Sequence, residues 1–112
     1  MTRTAGALLA GNRTFTFQEF PMTISVTHNE ARKRFEATVE GHVCVADYQL
    51  RDGVVWMTHT GVPSAVGGRG IAAELVRVAL QWAQDKGYRV EPSCSYVAVY
   101  MRRHPETQKL LA

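Results

Sequence analysis

The chain has 112 residues, of which 46% are hydrophobic and 21% charged, and its formal net charge is +3. That length and composition fit one ordinary domain and exclude a typical two-domain enzyme. A mildly basic chain attracts an anionic ligand such as a nucleotide phosphate, but it lacks the dense Lys/Arg face of a dedicated DNA-binding protein. Nucleic acid is therefore disfavoured as the main ligand.

Cys44 and Cys94 are the two cysteines, and they form no CxxC pair, so no metal site is predicted. No stretch approaches the roughly 20 apolar residues of a membrane span, and the apolar residues 5–10 are too few for a secretion signal. We therefore expect a cytoplasmic protein with free thiols and no membrane partner. Both a monomer and a dimer remain open.

Residues 1–21 predict an N-terminal arm that is poorly ordered or adds a short edge strand over 13–20, followed by one domain over 22–112. Alternation of apolar and polar residues predicts four strands, and Asp52-Gly53 is typical of a hairpin turn between the last two. Cys44, on the apolar face of the third strand, is expected to be a small buried hydrophobe. The four strands span residues 22–28, 35–39, 43–50 and 54–60.

Pro63 ends the fourth predicted strand, and a glycine-rich run leads into a helix over 71–86 whose apolar residues recur at helical spacing. Gly87 is a typical helix end. A short strand over 88–91, a second helix over 95–103 and one more turn over 106–112 follow. This order predicts an α+β fold: a four-strand antiparallel meander, then helix, strand and helix, with the fourth and fifth strands parallel.

The run Gly67-Gly68-Arg69-Gly70 opens the long predicted helix. Glycine lets the backbone turn closely around a ligand, and the first N–H groups of a helix have no internal acceptor. A strand, a glycine turn and a helix N-terminus together form an anion site. Neither a Walker A loop nor a GxGxxG dinucleotide motif is present. A tight strand-to-helix turn without a ligand is the alternative.

This loop and this order of elements resemble the GNAT N-acetyltransferase superfamily, whose acetyl-CoA loop reads Gln/Arg-x-x-Gly-x-Gly/Ala. Gly70 and Ala72 match its last two fixed positions, whereas Gly67 stands where Gln or Arg is usual. A subgroup of very small GNAT-like proteins is more similar still, over residues 23–107. The shared blocks are HTGVP at 59–63, GRGIA at 68–72, PSCSY at 92–96 and RHPE at 103–106.

The resemblance implies a GNAT fold in which the fourth and fifth strands splay apart and acetyl-CoA, the co-substrate, binds in the gap. It implies transfer of the acetyl group to an unidentified amine, on a small molecule or a protein side chain. A non-catalytic module that binds acetyl-CoA or CoA is the alternative. The cofactor contacts expected from the resemblance are Val62, Gly67, Gly68, Arg69, Gly70, Ile71, Ala72 and Tyr96.

Three side chains are candidates for the chemistry. In most GNAT enzymes a tyrosine on the second helix protonates the CoA sulfur, and the resemblance puts Tyr100 in that role, with Tyr96 as its substitute. Cys94 could instead accept the acetyl group, its pKa lowered by the following helix. His59 could act as a base or orient the acceptor. A core tyrosine, a buried thiol and a strand-end histidine are the corresponding structural interpretations.

Arg102 and Arg103 close the second predicted helix, and two interpretations are open for them. They could bind the 3′-phosphate of the nucleotide. They could also only stabilise the negative C-terminal end of their helix.

Overall fold

A computed structural model describes residues 24–112, so the predicted arm over 1–21 and its edge strand lie outside the described residues. Two short 3-10 turns, Ser64–Val66 and Pro105–Leu110, join or follow the main elements. The strands and helices are β1 (Thr27–Asn29), β2 (Arg34–Val39), β3 (His42–Arg51), β4 (Val54–Gly61), α1 (Ile71–Lys86), β5 (Arg89–Pro92) and α2 (Ser95–Arg103).

The five strands form one sheet whose spatial order, β1-β2-β3-β4-β5, is the order of the chain. The first four pair antiparallel, and β5 pairs parallel with β4 after the crossover through α1. The predicted α+β fold is therefore confirmed, including its parallel pair. Both helices begin and end at the predicted residues because a glycine bounds each end of α1 and a proline closely precedes and follows α2.

The first strand is shorter than predicted. Only Thr27–Asn29 pair with β2, and the preceding residues 24–26 lie outside the ladder. Ile24 and Val26 are nevertheless half-buried against the core. Their alternation with polar residues therefore reflects contact with the core and not strand pairing.

One core lies between the sheet and the helices. The face of α1 that carries Leu75, Val76 and Ala79 is fully buried against it. Cys44 is also fully buried, as predicted, and burial raises the pKa of its thiol. Such a thiol behaves as a packed apolar group.

An aromatic cluster closes the β1 end of this core. His28 stacks on Phe35 with ring centroids 4.0 Å apart, and its Nε2 lies 2.6 Å from the Tyr48 hydroxyl. Trp82 of α1 meets the histidine edge-on. Burial lowers the pKa of His28, partly opposed by the nearby charge of Glu30.

The second face of the sheet is uncovered among the described residues. No side chain that points to this outward face is fully buried. It carries polar pairs such as Arg34 and Asp47, whose Nε and Oδ1 atoms are 2.9 Å apart. Antiparallel sheets commonly keep one face on the core and the other in water.

Within residues 24–112, neither helix is long and apolar enough to cross a membrane.

Candidate active site

The parallel strands β4 and β5 part halfway along β4. Their pairing ends at Met57 opposite Pro92, and the Cys94 N–H then donates to the Met57 carbonyl at 2.8 Å. Beyond this point β4 continues to Gly61, paired with β3 on its other side. The divergence leaves a gap, here called the splay, that the resemblance implied.

A β-bulge in β4 determines which side chains face the splay. Met57 is opposite Tyr48 but His59 is opposite Asp47, so Thr58 is an extra residue in the ladder. A bulge reverses the alternation that follows it. Thr60, opposite the buried Ala46, therefore faces the core side, and His59 faces outward.

Cys94 lies on the core side of the splay, half-buried at the end of β5. Its Sγ is 3.8 Å from the hydroxyl oxygen of Thr60. It is also the residue just before α2, with extended backbone angles, so its side chain lies beside the first turn of that helix. Strand β4, strand β5 and helix α2 therefore converge on one sulfur atom.

This environment favours the thiolate of Cys94. Burial alone would raise the pKa of the thiol, but four hydrogen-bonding groups act against it. The backbone N–H groups of Val97 and Tyr96, together with the hydroxyl and backbone N–H of Thr60, stabilise negative charge on the sulfur. The net effect is a lowered pKa, the property that distinguishes reactive cysteines from packed ones such as Cys44.

The glycine loop turns through two left-handed residues. Gly68 and Gly70 have φ of +75° and +78°, and a Cβ on either would meet nothing within 4 Å. Backbone conformation, and not lack of space, therefore requires glycine at both positions. The buried side chains of Val66 and Ile71 fix the two ends of the loop.

Gly70 caps α1 so that free N–H groups face the loop. The first N–H of α1 with an acceptor inside the helix is that of Glu74, which donates to the Gly70 carbonyl at 3.1 Å. The N–H groups of Ile71, Ala72 and Ala73 therefore have no acceptor in the helix. The carboxylate of Glu74 is paired with Arg77 at 2.7 Å, so its charge is already compensated. This helix end suits an anion.

A cavity of about 270 Å³ lies against the loop. Every residue of the expected cofactor set except Arg69 lines it. Tyr96, 39% exposed, is the one lining residue from α2 and lies two residues after Cys94 of the splay. The lining residues are Val62, Gly67, Gly68, Gly70, Ile71, Ala72 and Tyr96.

Arg69 points away from this cavity. Its guanidinium donates to both carboxylate oxygens of Glu40, at 2.6 and 3.3 Å. Glu40 belongs to the β2–β3 turn, and this bidentate bond lowers the pKa of its carboxyl. The pair therefore connects the glycine loop to the β2–β3 turn.

The structure does not bring the three candidate catalytic side chains together. His59 is exposed on the outward face, where its Nε2 lies over Gly61, 3.1 Å from the position of an added Cβ. Tyr100 lies six residues beyond Cys94, about 9 Å along α2. Its ring stacks on His104 with centroids 3.9 Å apart, and burial raises the pKa of its hydroxyl. Only Cys94 lies in the splay itself.

Two residues at the site had no role in the sequence prediction. Thr60 lies within the HTGVP block, but the bulge that directs it to Cys94 leaves no mark in the apolar pattern. Glu40 is 29 residues from its partner Arg69, so no local spacing connects them.

Known proteins are similar to most of this chain. A family model for GCN5-related N-acetyl-transferase matches residues 34–110. Protein NATD1 of Gallus gallus is 31% identical over 91 residues, which cover 78% of this chain and 82% of that protein. Protein NATD1 of Homo sapiens is 31% identical over 91 residues, which cover 78% of this chain and 80% of that protein. A GCN5-like protein of Staphylococcus aureus, solved by NMR, has the same fold, with a TM-score of 0.64 at 19% identity over 79% of this chain and 87% of its own.

Proposed function

Because the chain belongs to the GCN5-related N-acetyltransferase family, we propose that it transfers the acetyl group of acetyl-CoA to an amine. The observation that carries this proposal is the position of Cys94. Its sulfur lies where β4 and β5 part, two residues before Tyr96 of the glycine-loop cavity, and its pKa is lowered. A thioester that extends from that loop into the splay would meet this sulfur.

Backbone groups bind the pyrophosphate of acetyl-CoA in this proposal. The N–H groups of Ile71 and Ala72 face the loop cavity, and the positive end of the α1 dipole adds to their effect. Val62 and Tyr96 flank the chain that leads from the pyrophosphate to the sulfur. The absence of a Gln or Arg side chain at Gly67 removes one contact but none of these backbone donors.

Acetyl transfer proceeds through Cys94. The thiolate sulfur bonds to the carbonyl carbon, the carbon–sulfur bond to CoA breaks, and CoA leaves as a thiolate. The amine then attacks acetyl-Cys94, the new carbon–nitrogen bond forms, and the Cys94 thiolate is released. The amine proton passes to solvent, and solvent protonates the CoA thiolate. A thiol with this role has to stay reduced, so the proposal includes a cytoplasmic location.

Direct attack of the amine on acetyl-CoA is the alternative route, and there a tyrosine hydroxyl protonates the CoA sulfur. Tyr96 lines the loop cavity, whereas Tyr100 is one turn further along α2. Tyr96 is therefore the better placed of the two for that step.

Intact-mass analysis after incubation with acetyl-CoA tests the proposal. We expect the wild-type protein to gain the mass of one acetyl group, and Cys94→Ser to gain none. Cys44→Ser is the matched control, since Cys44 is buried, and it should acetylate as the wild type does. An adduct that persists in Cys94→Ser would exclude the acyl-enzyme route.

A CoA-binding module without catalysis is the second candidate. The bare outward face favours it, because no described element forms a pocket for an acceptor above His59. Stabilisation by acetyl-CoA, together with neither an adduct nor CoA release for any amine tested, would favour this module. At a free-ligand concentration 100 times the Kd, a bound ligand adds about 2.7 kcal/mol to the free energy of unfolding.

A further inference from the structure

The glycine loop, residues 67–70, has few contacts of its own to hold it in place. Three of its four residues are glycines, and in the part of the chain that the structure describes the N–H groups of residues 68–70 donate to no backbone acceptor. Glycine has a wider conformational range than any other residue, so such a loop samples many conformations unless it is restrained. The buried side chains of Val66 and Ile71 fix only its two ends.

Arg69 is the one loop residue with a side chain, and it extends to the β2–β3 turn. Its guanidinium donates to both carboxylate oxygens of Glu40, at 2.6 and 3.3 Å. Two parallel bonds fix the orientation of a guanidinium as well as its distance, which sets this pair apart from most exposed ion pairs. The middle of the loop is therefore restrained through this side chain.

The β2–β3 turn is a firm support for the ion pair. Glu40 and Gly41 form a two-residue turn, with φ of +50° and +79°, between the paired residues Val39 and His42. Behind the turn, β2 and β3 are paired over six residues. A tight hairpin with both turn residues left-handed has little freedom of its own. A loop residue that is bonded to this turn is therefore held in place relative to the sheet.

We propose that Glu40, acting through Arg69, holds the glycine loop in the conformation that binds the pyrophosphate of acetyl-CoA, and is a positioning residue for that cofactor. This inference rests on the proposed function, because it takes the N–H groups at the start of α1 as the phosphate site. When only a fraction of a protein has the binding conformation, the measured affinity falls by that fraction. Without the ion pair the loop spends less time in that conformation, so CoA binds more weakly.

Glu40→Gln is the test variant, and Glu74→Gln is its matched control. Both carboxylates form bidentate ion pairs. The partner of Glu40 is in the loop, whereas Arg77, the partner of Glu74, is in α1. Each substitution removes one negative charge from near the N-terminus of α1, so electrostatics alone predicts slightly tighter CoA binding in both variants. Only the first substitution releases the loop.

Isothermal titration calorimetry with CoA measures the effect. We expect Glu40→Gln to bind CoA about threefold to fivefold more weakly than the wild type, and Glu74→Gln to bind it at least as tightly as the wild type. Tighter binding by Glu40→Gln would overturn the proposal, because Glu40 would then be keeping Arg69 away from the phosphates. Unchanged binding by that variant, or equal weakening of both variants, would also overturn it.

NMR order parameters of the backbone N–H groups test the restraint in the free protein. Those of Gly68 and Gly70 should fall in Glu40→Gln and stay at wild-type values in Glu74→Gln. Gly53, left-handed in a distant turn, is the internal reference and should not change in either variant. Unchanged order in the loop would overturn the proposal while leaving the proposed function standing. A wild-type protein that does not bind CoA would overturn both.

Discussion

A single extra residue in β4 decides which side chains reach the thiol. Simple alternation would place His59 on the same face as Met57, and the bulge at Thr58 reverses this. Thr60 then faces Cys94, and His59 faces the solvent on the other side of the sheet. The bulge therefore puts Thr60 on the core side with Cys94, and His59 on the outward side of the sheet.

Thr60→Val should make Cys94 less reactive. The hydroxyl of Thr60 is one of the groups that lower the pKa of the Cys94 thiol. Its removal should raise that pKa and so reduce the fraction of thiolate at a given pH. The rate of alkylation by iodoacetamide, followed against pH, should have its midpoint at higher pH than in the wild type. Thr60→Ser keeps the hydroxyl and is the control, and Cys44 is too buried to contribute.

An unchanged alkylation profile in Thr60→Val would mean that the 3.8 Å contact with the Cys94 sulfur does not stabilise the thiolate. The lowered pKa would then come from the backbone N–H groups of Val97, Tyr96 and residue 60, which the substitution leaves in place.

At the scale of elements, α1 connects the glycine loop to the core. Gly70 and Gly87 cap its two ends in the same left-handed conformation, and a Cβ at either would have open space. Replacement by alanine therefore imposes the same backbone strain at both ends, and only one end carries the proposed ligand site.

Gly70→Ala and Gly87→Ala should each lower the free energy of unfolding by about 1 kcal/mol, measured by urea denaturation. Only Gly70→Ala should also weaken CoA binding several-fold, because relief of the strain rotates the N–H groups of Ile71 and Ala72. Equal CoA affinities in the two variants would show that the geometry of this loop does not matter for binding.

The elements themselves could be predicted well because their ends are marked locally. Glycines bound α1, and Asp52-Gly53 forms the turn between β3 and β4. The first strand was predicted too long because the side chains of Ile24 and Val26 are apolar for packing reasons alone. An alternating sequence pattern predicts which side chains are buried. It does not predict whether the backbone forms hydrogen bonds to a neighbouring strand.

Contacts between distant elements could not be predicted in the same way. The bond of Arg69 to Glu40 depends on the β2–β3 turn lying beside the glycine loop, which only the assembled sheet provides. Similarly, which of Arg102 and Arg103 faces a groove depends on how α2 packs against α1. The family resemblance drew attention to the glycine loop, but it could not orient these side chains.

At the scale of the whole molecule, stability should depend on the protonation of His28. Burial lowers its pKa from the ordinary value of 6.5, so the unfolded chain takes up the proton first as the pH falls. The stabilisation is complete above pH 6.5 and is lost progressively from there down to the pKa of the folded protein. Once His28 is protonated, its Nε2 can only donate in the 2.6 Å contact with the Tyr48 hydroxyl.

His28→Phe should remove this dependence between pH 7.5 and pH 5, measured as the free energy of unfolding in urea. The other histidines are present in both proteins, so the difference between the two curves reports His28. Glu30→Gln should act in the opposite direction, because loss of the Glu30 charge lowers the pKa of His28 further and widens the range over which stability is lost. Parallel curves for His28→Phe and the wild type would contradict this account.

The uncovered outward face separates the residues that maintain the fold from those that an acceptor would meet. Within residues 24–112, every fully buried side chain belongs to the other side of the sheet, to the helices or to the 3-10 turns, and His59 lies on the outward face. Substitutions on an exposed surface usually change stability by less than about 0.5 kcal/mol. Acceptor preference could therefore diverge among descendants of this sequence, one outward residue at a time, with little loss of stability at each step.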